Sequence, residues 1–155
     1  DIKTRKVAIL AANGVDGNAV DAMKKALEAE GAHAKLLGPT SAPVTTADGK
    51  MLPVDASMEG LPSIAFDAVF VPGGAASIKA LSTDGVALHY LLEAYKHLKA
   101  IALHGEAKQL LDVLKLEADA GLIVGADAKL AKPFFAAIGQ HRVWDREPKA
   151  KAIPA

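Results

Sequence analysis

The chain has 155 residues, of which 51% are hydrophobic and 23% charged, the composition of one globular domain that can bury its own core. Its 18 basic and 18 acidic residues cancel, so no excess charge points to a nucleic acid or an anionic membrane as partner. Cysteine is absent, which excludes disulfides, thiolate catalysis and cysteine metal sites, and the lack of a long apolar run or a signal peptide leads us to expect a cytoplasmic protein.

Apolar runs alternate with helical patterns along the first half of the chain. The run KVAILAA (6–12) is typical of a strand buried on both faces, and it ends at Asn13-Gly14. The helix predicted next has its apolar residues on one face: Val20, Met23 and Leu27. HAKLLG predicts a second strand. VTTADGKMLPV predicts a small hairpin, because Asp48-Gly49 separates two short extended runs.

The second half continues the alternation. DAVFVPGG predicts a third buried strand, and Thr83 or Asp84 is the expected N-cap of the next helix. The apolar stripe of that helix comprises Leu88, Leu91, Leu92, Tyr95 and Leu98. AIALHGEAKQLLDVL predicts a fourth strand with its helix, and GLIVG predicts a fifth strand. A last helix is expected through Phe134, Phe135 and Ile138.

This alternation predicts one doubly wound α/β domain over residues 1–141, with a mainly parallel five-stranded sheet, helices on both faces and a small hairpin. Residues 142–155 are predicted to form an irregular tail, since prolines interrupt regular structure there. Trp144, the only tryptophan, lies between Arg142 and Arg146. These three residues either anchor an interface with another chain, or Trp144 caps the core of this domain.

In such sheets, function normally lies beyond the carboxyl ends of the strands. The loops expected at that edge are Asn13-Gly14, Pro72-Gly73-Gly74, Leu103-His104-Gly105 and Gly125-Ala126-Asp127. The N–H groups of Gly73 and Gly74 either approach an oxyanion or phosphate, or the glycines only allow a sharp turn.

His104 is the one histidine at a predicted strand-to-helix turn. Its neighbour Leu103 cannot be a nucleophile, and Glu106 has no evident reason to face it, so we favour a structural histidine bonded to the backbone. His89 and His97 form no i, i+4 pair, and no metal site is expected.

KVAIL, DAVFVPGG and AIALHG resemble the ThiJ/PfpI group within the class I glutamine amidotransferase-like fold. The resemblance implies an elbow cysteine beside a glutamate that follows the first strand. Here the elbow reads Leu103-His104-Gly105 and the glutamate position reads Gly14, while Gly73 and Gly74 stand in the oxyanion loop. The implied site is vestigial and the domain a pseudoenzyme. With a helix starting at Gly105, a cysteine introduced at Leu103 would be expected to react readily.

HYLLEAYKHLKAIALHGEA and the ending HRVWDREPKAKAIPA resemble the C-terminal, flavodoxin-like domain of large-subunit haem catalases, over essentially the whole chain. This resemblance implies a longer parent chain whose N-terminal region binds haem and converts hydrogen peroxide to water and oxygen, in a homotetramer. It also implies that this domain itself holds no cofactor, and that Tyr90, Tyr95 and His104 are not haem ligands.

Two classes of function follow. The favoured one is a noncatalytic accessory domain that contacts the catalase core and other subunits and serves stability, assembly, channel access or chaperone-like binding of unfolded chains. The alternative is a free-standing ThiJ/PfpI-type hydrolase or glyoxalase-like enzyme, and a third reading is a small-ligand-binding module that uses the emptied pocket.

Overall fold

The computed structural model describes residues 1–154, with the side chains of residues 127 and 128 outside the description. Its strands are β1 (Lys6–Leu10), β2 (His33–Gly38), β3 (Val44–Thr45), β4 (Met51–Leu52), β5 (Ala56–Ser57), β6 (Ala68–Val71), β7 (Ala100–His104) and β8 (Leu122–Gly125). Its α-helices are α1 (Gly17–Ala29), α2 (Ala75–Ser82), α3 (Gly85–Lys96), α4 (Leu110–Leu114), α5 (Ala131–Gly139) and α6 (Glu147–Lys151).

The main sheet is parallel and has the strand order β5-β2-β1-β6-β7-β8. Because successive side chains along each strand point to opposite faces, the sheet contributes to two separate hydrophobic cores, one on each face. One core contains Ile78 of α2 and Leu91 of α3 together with Leu103 of β7. The other contains Met23 of α1 and Phe134 of α5. The predicted doubly wound α/β fold is confirmed.

The sheet has six strands where the sequence predicted five. The additional strand, β5, contributes only two register pairs with β2, Leu37 with Ala56 and Gly38 with Ser57. A two-residue strand has no periodicity that a sequence pattern could reveal. The predicted hairpin is confirmed: β3 and β4 are antiparallel and flank Gly49, whose φ of 89° suits the turn.

The helices also differ from the predicted pattern in two places. α2 follows directly on Gly74 and was not predicted, because the diglycine indicated only a turn. α3 begins where expected, since the Asp84 carboxylate accepts hydrogen bonds from the N–H groups of Val86 and Ala87. Its buried face is shifted from the predicted leucine stripe and comprises Ala87, Tyr90, Leu91, Ala94 and Tyr95.

The tail is not irregular. A 3-10 turn at Trp144–Arg146 leads into α6, and Pro148 lies in the first turn of that helix, where its missing N–H costs nothing. The tail also packs on the rest of the chain, because the buried Val143 donates its N–H to the Leu98 carbonyl at 2.7 Å. The division of the chain after residue 141 stays a prediction.

Candidate functional site

The elbow lies at the carboxyl end of β7. Leu103 is 2% exposed and packs in the core beneath α2 and α3, whereas His104 is the last strand residue and its ring lies 6.3 Å from that of Phe70 in the opposite layer. A 3-10 turn, Gly105–Gln109, follows, and α4 begins only at Leu110. The expected α-helix at Gly105 is therefore wrong, and Leu103 has no long helix dipole directed at it.

Two side chains from the elbow turn bind the diglycine loop. The N–H of Gly73 donates to His104 Nδ1 at 2.9 Å, and the N–H of Gly74 donates to Glu106 Oε1 at 3.0 Å. The prediction of a backbone-bonded His104 is confirmed. Glu106 was expected to have no evident reason to face His104; in the structure it does not bond His104, but the 3-10 turn brings its carboxylate onto the same loop. Both N–H groups that an oxyanion would need have acceptors from this chain.

The charge of Glu106 is stabilised by this contact. The Gly74 N–H, and next the N–H of Glu106 itself, hold the pKa of the Glu106 carboxyl below its ordinary value, and His104 acts in the same direction. The carboxyl is therefore ionised near neutral pH and serves as a fixed acceptor, not as a general acid.

Both loop positions leave little room for a side chain, and Gly74 is the more restricted of the two. A Cβ on Gly73 would lie 2.6 Å from Glu106 Oε1, and one on Gly74 would lie 2.3 Å from the Gly14 carbonyl oxygen. Gly74 also has a φ of 111°, which side chains rarely adopt. Sequence left open whether these glycines serve an anion or a turn; the close packing explains them without an anion.

Gly14 lies beside this loop but has no space for a side chain. Its φ is 92°, its N–H donates to the Thr45 carbonyl at 2.8 Å, and a Cβ there would meet the Ala76 Cβ at 2.5 Å. A glutamate at Gly14 would displace the start of α2. The elbow therefore presents neither a nucleophile nor a place for a partner carboxylate at residue 14.

The three tail residues have different positions. Trp144 is 63% exposed and Arg142 is half-buried, but Arg146 is 1% exposed, so it cannot act as a surface residue of this chain. Arg146 pairs with Asp119 through Nε–Oδ2 at 2.9 Å and Nη2–Oδ1 at 3.0 Å. Its Nη1 donates to the Lys99 carbonyl at 2.7 Å, and its guanidinium carbon lies 4.4 Å from the centre of the Tyr95 ring.

The exposed Trp144 belongs to a larger apolar surface. Ile64 is 77% exposed and lines one depression with Trp144 and His97, and it lines a neighbouring depression with Val86 and His97. We call Ile64, Val86, His97 and Trp144 the amino-edge surface, since Ile64 precedes β6 and His97 precedes β7, at the opposite edge of the sheet from the elbow. Sequence reasoning found only its tryptophan.

Among the side chains that the structure describes, those of residues 1–126 and 129–154, no three histidine, aspartate or glutamate side chains are grouped so that they could hold a metal ion. No helix within residues 1–154 is both long and apolar enough to cross a membrane.

A family model described as the C-terminal domain found in long catalases matches residues 3–148. The chain belongs to this family. It is 55% identical to Catalase HPII of Pseudomonas putida over 154 residues, which is 99% of this chain and 21% of that catalase. It is 41% identical to Catalase-B of Dictyostelium discoideum, over 100% of this chain and 23% of that protein. The chain thus spans about a fifth of the length of the catalases it matches.

Solved structures agree on the fold. DJ-1beta of Drosophila melanogaster superposes on this chain with a TM-score of 0.79 at 13% identity, over 96% of each chain. A two-domain protein with DJ-1/ThiJ/PfpI-like and ferritin-like domains from Anabaena variabilis gives 0.76 at 19% identity, over 98% of this chain and 50% of that one. These likenesses show a shared fold, as the ThiJ/PfpI resemblance of the sequence implied.

We expect a cysteine at position 103 to be poorly reactive. Burial raises the pKa of a thiol, and the 3-10 turn offers no long helix dipole against it. The chain has no other cysteine, so iodoacetamide labelling of Leu103→Cys, followed by mass spectrometry, reports this site alone. Ser82→Cys, at a half-buried position near the end of α2, is the control and should label faster. Faster labelling of Leu103→Cys near neutral pH would mean that the elbow is open.

Proposed function

We propose that this domain is a noncatalytic accessory domain of a haem catalase. One observation carries the proposal: the Gly73 and Gly74 N–H groups are bound by His104 and Glu106, while Leu103 fills the elbow. An acyl-transfer or glyoxalase-like reaction needs a nucleophile and free donors for the developing oxyanion, and this arrangement offers neither at the elbow.

The parent chain is proposed to carry the chemistry. The relatives are named catalases and are about five times longer than this chain, so the rest of such a polypeptide has room for a haem-binding region. In this proposal haem is held outside this domain, hydrogen peroxide is converted to water and oxygen there, and the protein is a cytoplasmic homotetramer. The domain itself holds no cofactor.

Among the accessory roles, assembly has the most support. Three large apolar side chains that are exposed in the domain, Ile64, Val86 and Trp144, lie on the amino-edge surface. Exposed apolar side chains gathered in one place mark contact surfaces more often than isolated ones do. We assign this surface to contact with the catalase core or a neighbouring subunit of the same tetramer, which would stabilise the assembled enzyme.

The assembly role is tested in the full-length parent catalase. We expect the double variant Ile64→Ser/Trp144→Ser to lose activity faster on heating, with haem content and initial peroxide turnover unchanged, because both substitutions lie outside the proposed haem-binding region of the chain. Met51→Ser is the matched control, since Met51 is 68% exposed but lies outside the amino-edge surface. Equal heat inactivation of the two variants would contradict the assembly role. If the double variant instead suppressed the aggregation of an unfolded client protein less well, with no change in heat inactivation, a chaperone-like role would be favoured.

The noncatalytic part of the proposal has a separate test. The purified domain, incubated with hydrogen peroxide, methylglyoxal and a simple ester, should turn over none of them and should show no Soret band after incubation with haem. Turnover of methylglyoxal or the ester, abolished by Glu106→Gln, would instead support the free-standing enzyme.

A further inference from the structure

A recess lies beside the elbow on the opposite face of the sheet from Leu103. Its volume is about 420 Å³, within the range of small-molecule sites. Phe70 and His104 form its floor, Met23 of α1 one wall, and Leu130, just before α5, the other. It opens at the carboxyl edge of the strands, where ligands of such sheets commonly bind.

The recess exists because α1 presents alanines to it. Ala19, Ala22 and Ala26 line the opening, and such small side chains leave the space that larger ones would fill. Phe70 of the floor is buried, and so are Met23 and Leu130 of the two walls, so the recess reaches the core between α1 and α5. A ligand there would replace water against apolar walls, which is favourable in proportion to the area covered.

The carboxylate of Asp16 decides which ligand charge the recess favours. Asp16 is the one carboxylate or permanent cation among the described residues that line it. Its Oδ1 caps α1 by accepting the Ala19 N–H at 3.1 Å, so the positive end of that helix already has its anion. An anionic ligand would be repelled by Asp16, whereas an ammonium group would be attracted.

The floor favours a ring. Phe70 packs against His104 with ring centres 6.3 Å apart and planes at 53°, and against Phe134 at 6.4 Å and 37°. Such tilted aromatic surfaces accept the edge or face of a further ring, and they attract a cation held close to them.

We propose that this recess binds a small aromatic molecule that carries an ammonium group, with the ring against Phe70 and the ammonium at Asp16. The site uses neither Leu103 nor the diglycine N–H groups and involves no covalent step. It is independent of the accessory role, because a domain that serves assembly can also hold a ligand at its other edge.

The chain's three methionines provide the test. In protein labelled with ¹³C at the methionine methyl groups, Met23 reports the recess, Met58 reports a depression on the amino-edge surface, and Met51 is exposed on the hairpin. Titration with benzylamine should shift the Met23 signal and leave those of Met51 and Met58 unchanged. Phenylacetate, an anion of similar size, should shift Met23 little. The same titration of the full-length parent should also shift the Met23 signal, because the recess lies at the opposite edge of the sheet from the amino-edge surface.

Two variants with a control identify the contacts. Ala26→Leu should fill the recess and weaken benzylamine binding about tenfold, while Ala29→Leu, on an exposed position of the same helix that does not line the recess, should not. Asp16→Asn keeps an equally good helix cap but removes the charge, so the preference for benzylamine over benzyl alcohol should fall about two- to fivefold.

Three outcomes would overturn the proposal: no Met23 shift at millimolar benzylamine, equal shifts with phenylacetate, or equal weakening by Ala26→Leu and Ala29→Leu. None of them bears on the heat inactivation of the parent catalase, so the two proposals fail separately.

Discussion

Arg146→Ala should lower the free energy of unfolding of the domain by about 3–5 kcal/mol, because it leaves the partly buried Asp119 carboxylate without its partner. The guanidinium is fully buried and pairs with both oxygens of Asp119. It also donates to the Lys99 carbonyl and packs over the Tyr95 ring. All of these contacts tie the tail to the sheet, and chemical denaturation followed by circular dichroism measures their loss.

Two further variants separate this contact from the tryptophan. Trp144→Ala should change the stability of the isolated domain little, because the side chain is 63% exposed. Deletion of residues 142–155 should destabilise it at least as much as Arg146→Ala, since Val143 and Arg146 are both lost. The sequence left open whether the tail caps the core or serves as an interface arm. A large loss of stability in Trp144→Ala with a small loss in Arg146→Ala would mean that Trp144, and not Arg146, holds the tail on the core.

The Arg146–Asp119 pair should also make stability depend on pH. Burial tends to raise the pKa of Asp119, but the hydrogen bonds and charge of Arg146 outweigh it and the pKa is lowered in the folded state. Its stabilising contribution is therefore complete above the unfolded pKa of about 3.9 and is lost as the pH falls through the lower folded value. The stability difference between wild type and Arg146→Ala should narrow in that acidic range, as denaturation curves at several pH values would show.

Gly14→Ala should strongly destabilise the fold beside the elbow. Gly49 offers a matched control, because its φ of 89° is close to the 92° of Gly14. A Cβ at Gly49 meets nothing within 4 Å, whereas one at Gly14 meets the Ala76 Cβ at 2.5 Å. Gly49→Ala should thus cost about 1–2 kcal/mol for backbone strain alone, and Gly14→Ala about 2–4 kcal/mol more for overlap.

Comparing the two unfolding midpoints checks this difference, and equal losses would mean that α2 moves aside at little cost. The same comparison bears on the elbow. If Gly14→Ala unfolds the domain, the larger side chain of Gly14→Glu should unfold it as well. A Leu103→Cys/Gly14→Glu protein would then not test the cysteine–glutamate pair that the ThiJ/PfpI resemblance implies. A stable, well-folded Gly14→Glu would show that residue 14 can still accept the carboxylate that the ThiJ/PfpI resemblance implies.

The long elements were predictable from the sequence because their signals are local. Continuous apolar runs identified β1, β6 and β7, and Asp84 identified the start of α3. What the sequence could not reveal depends on contacts between distant residues. β5 exists only through pairing with β2, and the fold around Arg146 depends on Asp119, 27 residues earlier. Arginine side chains are mostly exposed, so nothing in the sequence indicated that Arg146 is buried while Trp144 is exposed.

The site was half predictable. Strand order correctly placed the turn after β7 beside the diglycine loop, and chemistry correctly favoured a backbone-bonded His104; that Leu103 occupies a former nucleophile position stays a prediction. Glu106 was missed because two residues along a regular helix point apart, and only the 3-10 turn at Gly105–Gln109 brings both side chains to one loop. The amino-edge surface was missed because Ile64 and Trp144 are far apart in sequence, and exposure is a property of the folded chain alone.

The hydrogen bonds onto the diglycine loop also limit how this domain can change over generations. Removing Glu106 leaves the buried Gly74 N–H without its acceptor, a nucleophile at 103 finds the donors already taken, and a carboxylate at 14 finds no space. Each of these steps loses folding stability or gains nothing until the others are present. Such sign epistasis would preserve the present hydrogen bonds at the elbow, so natural variation in this family should accumulate on the surfaces of the domain and spare the junction of its first loop with the elbow.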